Sequence, residues 1–159
     1  GLRYVSAGGI FRQLAKKYKM NLIDFTKFAE KNPKIDLFID SLMKQEGERD
    51  NVVLDSQLAY KMVKHLKPIK ILVTADERDR IKRIMERENL DYDAAKLEVL
   101  TRDHGEKKRF KKLYGITLWN PRDFHLVINT SKLSKEEAIS IVICATRIFI
   151  NKQENPDLN

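Results

Sequence analysis

Apolar residues in this chain follow two alternating rhythms. Short, nearly continuous apolar runs occur at residues 3–6, 51–54, 69–73 and 126–128, each the length of a strand. Between them, apolar residues recur at three- and four-residue spacing, which predicts helices. Ile10, Phe11, Leu14, Ala15 and Tyr18 form one such stripe, and Leu22, Phe25, Phe28 and Ala29 form the next. Asn32 and Pro33 read as a helix start, with Asn as the cap, followed by a face of Ile35, Phe38, Ile39, Leu42 and Met43 that Gly47 ends. A short helix is expected over 58–65, and two strongly charged helices over 76–88 and 92–114. Ser134 and Glu137 form a capping box that opens a last helix. Its apolar stretch, 138–150, is interrupted by Ser140, Thr146 and Arg147 and reads as a buried helix rather than a membrane span.

Strands alternating with helices predict right-handed crossovers and a mainly parallel α/β sheet flanked by helices on both faces. Residues 1–151 are expected to form a single domain, and 152–159 a polar tail. Ligands of such sheets gather at the carboxyl ends of strands. That rule selects 6–9, 55–57 and 74–76 as candidate site segments.

Composition narrows the picture. The chain has 159 residues, of which 42% are hydrophobic and 34% charged, an ordinary balance for a folded domain with a core. Its net charge of +8 invites an anionic partner, but the basic residues are interspersed with acids along helices. That dispersal fits solvated faces better than a nucleic-acid arm. The single Cys144, expected to be a buried thiol, forms no internal disulfide and suits a reducing cytoplasm. His65, His104 and His125 lack metal-ligand spacing.

Three constellations can carry chemistry. Ser6-Ala-Gly-Gly-Ile-Phe-Arg12 places a hydroxyl and two glycines where a strand turns into a helix, with Arg12 one turn in. It reads either as a backbone cradle for a ligand or as a tight turn with a surface arginine. Val52-Val-Leu-Asp55 is an apolar strand ending in Asp, either a group facing Mg²⁺ and phosphates or a helix cap. Arg80, Arg83 and Arg87 share a helix face, and Arg102 and Arg109 are seven apart. These are either a phosphoryl-binding cluster or arginines in ion pairs such as Glu98–Arg102.

The three occur in the order found in cytidylate kinases, and from Tyr4 to Ile143 the chain resembles the compact archaeal type of that family. The resemblance runs through the first motif, Phe28-Ala-Glu-Lys-Asn-Pro-Lys-Ile-Asp36, Asn51-Val-Val-Leu-Asp-Ser-Gln-Leu-Ala59 and Arg83-Ile-Met-Glu-Arg-Glu88. It is densest at Thr101-Arg-Asp-His-Gly-Glu-Lys-Lys-Arg-Phe-Lys-Lys-Leu-Tyr-Gly-Ile116. It implies a three-layer P-loop-kinase-like fold, with acceptor-binding helices at 8–47 and a helical lid at 83–116. It further implies a cytoplasmic monomer that moves the γ-phosphate of ATP to CMP or dCMP with Mg²⁺. By this resemblance Ser6, Gly8, Arg12, Asp36, Asp40 and Gln57 line the acceptor site. Asp55 stands near the phosphates and holds Mg²⁺ through its water. Arg102 and Arg109 are lid arginines on the transferring group, and Arg83 and Arg87 flank the ATP side.

Departures from the family pattern are specific. The family opens with a strand, a glycine-rich P-loop and a helix, so the resemblance implies that this chain starts after that helix. Such a missing central strand should leave apolar sheet edges open. Gly9 stands where relatives often carry Asp, and Gln57 where the family usually has an arginine on the acceptor phosphate. Thr117 and His125 each replace an Asp. A degenerate, non-catalytic relative is the alternative reading, and a basic RNA-binding module a third.

Overall fold

In a computed structural model of the chain, residues 1–49, 51–116 and 119–154 are described. Four strands alternate with seven α-helices in the order β1 (Arg3–Ser6), α1 (Ala7–Lys17), α2 (Leu22–Lys31), α3 (Lys34–Gly47), β2 (Val52–Asp55), α4 (Ala59–Met62), β3 (Ile71–Thr74), α5 (Glu77–Glu88), α6 (Tyr92–Tyr114), β4 (Leu126–Asn129) and α7 (Lys135–Glu154). Asn21 and Asp91 cap α2 and α6 through their side chains, and Ser134 and Glu137 make the reciprocal bonds of a capping box at α7. Asn32 does not start a helix. It closes α2, donating its side-chain N–H to the Phe28 carbonyl, and Pro33 precedes α3 without a side-chain cap.

All strand pairing among the described residues is parallel. β1 lies beside β2 with Ser6 opposite Asp55, and β3 lies beside β4 with Thr74 opposite Asn129. The two pairs are separate sheets among the described residues. On β2 and β3, Val53 and Val73 remain 43% and 59% exposed, well above the value for a covered strand.

Two apolar clusters hold the layers. Phe25, Met43, Ala15, Ala29, Ile35 and Ile39 pack α1, α2 and α3 together beneath Val5 and Leu54 of the first sheet. Ile81, Ala95 and Val99 lock α5 onto α6. Phe38, expected on the core face of α3, is half exposed. Asp36 is buried on that helix in its place.

The last helix departs from expectation. Ile139, Ile141, Ile143, Ile148 and Ile150 of α7 are exposed, and so is Cys144. The residues are apolar around most of the helix, and the described elements leave these side chains uncovered. Phe149 meets the His125 ring, and Gln153 donates to the Lys67 carbonyl. No helix among the described residues is long and apolar enough to cross a membrane.

Helix α6 reaches α2 at Gly105. A Cβ there would stand 2.8 Å from Thr26 Cγ2, closer than a methyl group can sit, and a tight 3.2 Å from Glu30 Oε1. Lys108 then pairs with Glu30 at 3.0 Å across the same contact. Gly105→Ala is expected to destabilise the fold by about 1–3 kcal/mol through overpacking, read as a lower denaturant midpoint. An unchanged midpoint would show that the close approach is not needed.

Candidate functional site

The parallel register of β1 and β2 brings their carboxyl ends side by side. Asp55 Oδ2 accepts hydrogen bonds from Tyr4 Oη at 2.5 Å and Ser6 Oγ at 3.1 Å. The bond to Asp55 raises the Tyr4 phenol above its ordinary pKa, so it stays a donor. Asp55 caps no helix, since α4 begins four residues later with Leu58 before it.

Ser6 also caps α1, accepting from the Gly9 amide at 3.2 Å. No acidic residue occupies the first turn of that helix, so its amide end keeps its partial positive charge. Arg12 sits one turn further on and makes no ion pair among the described residues. A Cβ on Gly8 would come 3.5 Å from Arg12 Nη1 and fill the space between this cation and the helix end.

Opposite this edge, α3 and α6 are joined by two polar clasps. Arg109 Nε donates to Asp36 Oδ2 at 2.9 Å, with both side chains only 6% exposed. The guanidinium lies over Phe11 and Phe110 at 5.7 and 5.9 Å from the ring centroids. Its Nη1 is buried without a hydrogen-bond partner. One helical turn along α3, Asp40 accepts from Tyr114 Oη. Burial pushes both carboxyl groups above the ordinary carboxylate range, and the neighbouring guanidinium draws Asp36 back. Burial and Asp40 push the Tyr114 phenol far up, so it remains a donor.

These groups enclose a cleft of about 370 Å³. Ser6, Gly8, Arg12, Asp36, Asp40, Asp55, Gln57, Arg87, Arg102 and Arg109 all line it. Arg83 does not. It belongs to an adjoining hollow of about 200 Å³, where its Nη1 and Nη2 donate to Oγ1 and the carbonyl of Thr130 at 2.8 and 2.9 Å. Arg80 ties α5 to α6 through two bonds to Asp103 at 2.6 and 2.8 Å. The third expected segment, 74–76, lies outside both spaces, and Asp76 bonds to Asn129 and Ser131 instead. Thr117 lies outside the described residues.

Glu106 went unselected in the sequence, yet it lines both spaces. It accepts from Gln57 Nε2 and pairs with Arg102 at 3.6 Å. The signal for it was its spacing, four residues after Arg102 and three before Arg109 on one helix. The ion pair expected between Glu98 and Arg102 is replaced by this one. Glu98, 6% exposed, keeps a buried Oε1 without a partner.

Four arginines, one amide end and four carboxylates thus share one cleft. Arg109 and Arg87 are neutralised by Asp36 and Glu88, Arg102 is held loosely, and Arg12 makes no ion pair among the described residues. The unpaired positive charge therefore gathers at the β1–α1 turn. Among the described residues no cluster of three or more His, Cys, Asp or Glu could hold a metal ion directly.

Burial raises the Glu98 pKa, so folding favours its protonated form. The folded state then binds the proton more readily than the unfolded state, and this group's cost grows as pH rises through the raised pKa. Glu98→Gln is expected to raise Tm at pH 7 by about 2–4 °C for each kcal/mol relieved, with the advantage shrinking toward pH 4. An advantage that is absent at pH 7, or equal at both, contradicts the burial account.

Residues 45–132 match the cytidylate kinase-like family. A cytidylate kinase of Staphylothermus marinus is 43% identical over 151 residues, covering 95% of this chain and 83% of that protein. One from Ignicoccus hospitalis is 35% identical, covering 89% and 83%, and one from Archaeoglobus fulgidus is 36% identical, covering 93% and 82%. A solved structure of an uncharacterized protein from Eubacterium ventriosum superposes with a TM-score of 0.56 at 17% identity, covering 89% of this chain and 82% of that one, which is a likeness of fold. Motif order, the convergence of the motif residues on one cleft and identity along most of the length agree, and the chain belongs to the cytidylate kinase-like family.

Proposed function

We propose that the cleft holds a nucleoside monophosphate and that the domain transfers the γ-phosphate of ATP to it, with CMP or dCMP as acceptor. The observation that carries this reading is the unpaired Arg12 beside the open amide end of α1. A dianionic phosphate gains there both from the helix dipole and from a guanidinium that makes no ion pair among the described residues. Base and sugar then extend toward Asp36 and Asp40 of α3, whose carboxylates accept from amine and hydroxyl groups.

Arg102 is suited to the transferring group. Its ion pair with Glu106 is long, at 3.6 Å, and its side chain keeps 24% exposure. It can exchange the carboxylate for a phosphoryl oxygen with little loss. Arg109 holds α6 against α3 through Asp36, so it acts in part by positioning the helix that carries Arg102. Arg87 and Arg83 border the cleft and the adjoining hollow, where the donor nucleotide's phosphates approach.

Mg²⁺ fits an outer role. Asp55, with both of its hydrogen bonds from Tyr4 and Ser6 on Oδ2, would leave Oδ1 for the metal's water. The ion supplies charge neutralisation between donor and acceptor phosphates. Tyr4 and Ser6 fix the carboxylate that receives its water.

The test is an assay of the full-length polypeptide with ATP, Mg²⁺ and CMP or dCMP. The expected products are ADP and the nucleoside diphosphate. Arg102→Ala should lower kcat by about 10²–10³-fold with a smaller change in KM. Absence of transfer to any nucleoside monophosphate contradicts the enzyme reading. A domain that binds nucleotide without transfer is favoured by one observation, the uncharged Gln57 in the acceptor cleft. It predicts CMP binding with no ADP formed.

A further inference from the structure

Gln57 stands in the wall shared by the cleft and the adjoining hollow, two residues after Asp55 at the end of β2. Its Nε2 donates to Glu106 Oε2. Glu106 is paired with Arg102, and a carboxylate accepts without donating, so it selects the nitrogen end of the amide. That choice fixes Oε1 on the other side. There Oε1 is buried and has no hydrogen-bond partner. An acceptor held in this way is left unsatisfied until a ligand or water donates to it.

A phosphate monoester cannot satisfy it. At neutral pH its terminal oxygens are chiefly acceptors, and near Gln57 they would meet the Oε1 dipole and the Glu106 charge. The donors on a nucleoside monophosphate are its exocyclic amine and its sugar hydroxyls. We propose that Gln57 Oε1 takes a hydrogen bond from the exocyclic amine or the 2′-hydroxyl of the acceptor nucleotide, so that Gln57 sets which nucleotide is accepted instead of holding its phosphate. The phosphate charge then falls to Arg12 and the α1 amide end. This rests on the reading of the cleft as the acceptor site.

Binding to the chain is measured by calorimetry for CMP, dCMP and a CMP analogue carrying hydrogen in place of the C4 amine. The wild type is expected to bind one of the two analogues about tenfold more weakly than CMP, the loss of one buried hydrogen bond. Loss on the amine-free analogue identifies the amine, and loss on dCMP identifies the 2′-hydroxyl. Gln57→Met keeps the reach and removes the acceptor oxygen. It should bind CMP about tenfold more weakly and no longer distinguish CMP from that analogue. Equal affinities of the wild type for all three ligands overturn the proposal without recourse to the variant, as does an unchanged affinity ratio in Gln57→Met. Arg12→Ala separates the two levels. If it weakens CMP binding while the ratios stay flat, the assignment of Gln57 fails and the acceptor site stands. If the wild type binds none of the ligands, the acceptor reading fails and takes this assignment with it.

Discussion

The Asp36–Arg109 pair holds the site together. Both side chains are 6% exposed, and their 2.9 Å bond joins a helix from the first half of the chain to the long helix of the second. Removing either partner alone would strand a buried charge, at a cost of about 3–5 kcal/mol. Much of that cost is built into the pair itself, since desolvation raises the Asp36 pKa even beside a guanidinium. A hydrophobic contact could tie these helices as firmly. The ion pair does something a hydrophobic contact cannot. It keeps a buried guanidinium, with its Nη1 unsatisfied, at the wall of a polar cleft.

Other features of the fold support that clasp. Gly105 lets α6 press against α2, which puts Arg109 over Phe11 and beside Asp36. The β1–β2 register sets Ser6 opposite Asp55, and the same turn delivers Arg12 to the opposite rim. Charges at the α3–α6 side are paired, whereas those at the β1–α1 turn are not. The cleft therefore joins an arginine with no ion pair among the described residues, near the Asp55 carboxylate, to hydrogen-bonding carboxylates on α3. A nucleotide has charge at the phosphate and donors on sugar and base.

Much of this was legible in the sequence, for physical reasons. Local pattern decides where helices start and stop when caps are strong, so α6 and the capping box of α7 follow directly from residue order. Strand ends in a parallel sheet face one side, so Ser6 and Asp55 could be grouped from the pattern alone. Three things were not legible. Hydrophobicity around α7 said that it is buried, but exposure depends on which elements pack against it. Spacing placed Arg80, Arg83 and Arg87 on one face, yet tertiary contacts give Arg80 and Arg83 the partners Asp103 and Thr130, while Arg87 pairs with its chain neighbour Glu88, and this separates their roles. Glu106 looked like one more charge on a charged helix, because its meaning comes from Gln57, which is 49 residues away in sequence.

The central claim is that the two halves of the cleft, the β1–α1 turn and the α3–α6 clasp, bind a single nucleoside monophosphate between them. Amide hydrogen exchange of the chain, with and without saturating CMP, tests it most directly. The account predicts slowed exchange at the start of α1, around Asp36 and Asp40 on α3, after β2 and along α6 between Arg102 and Arg109, all at once. Protection limited to one side, or absent from these segments while CMP is bound, would contradict it.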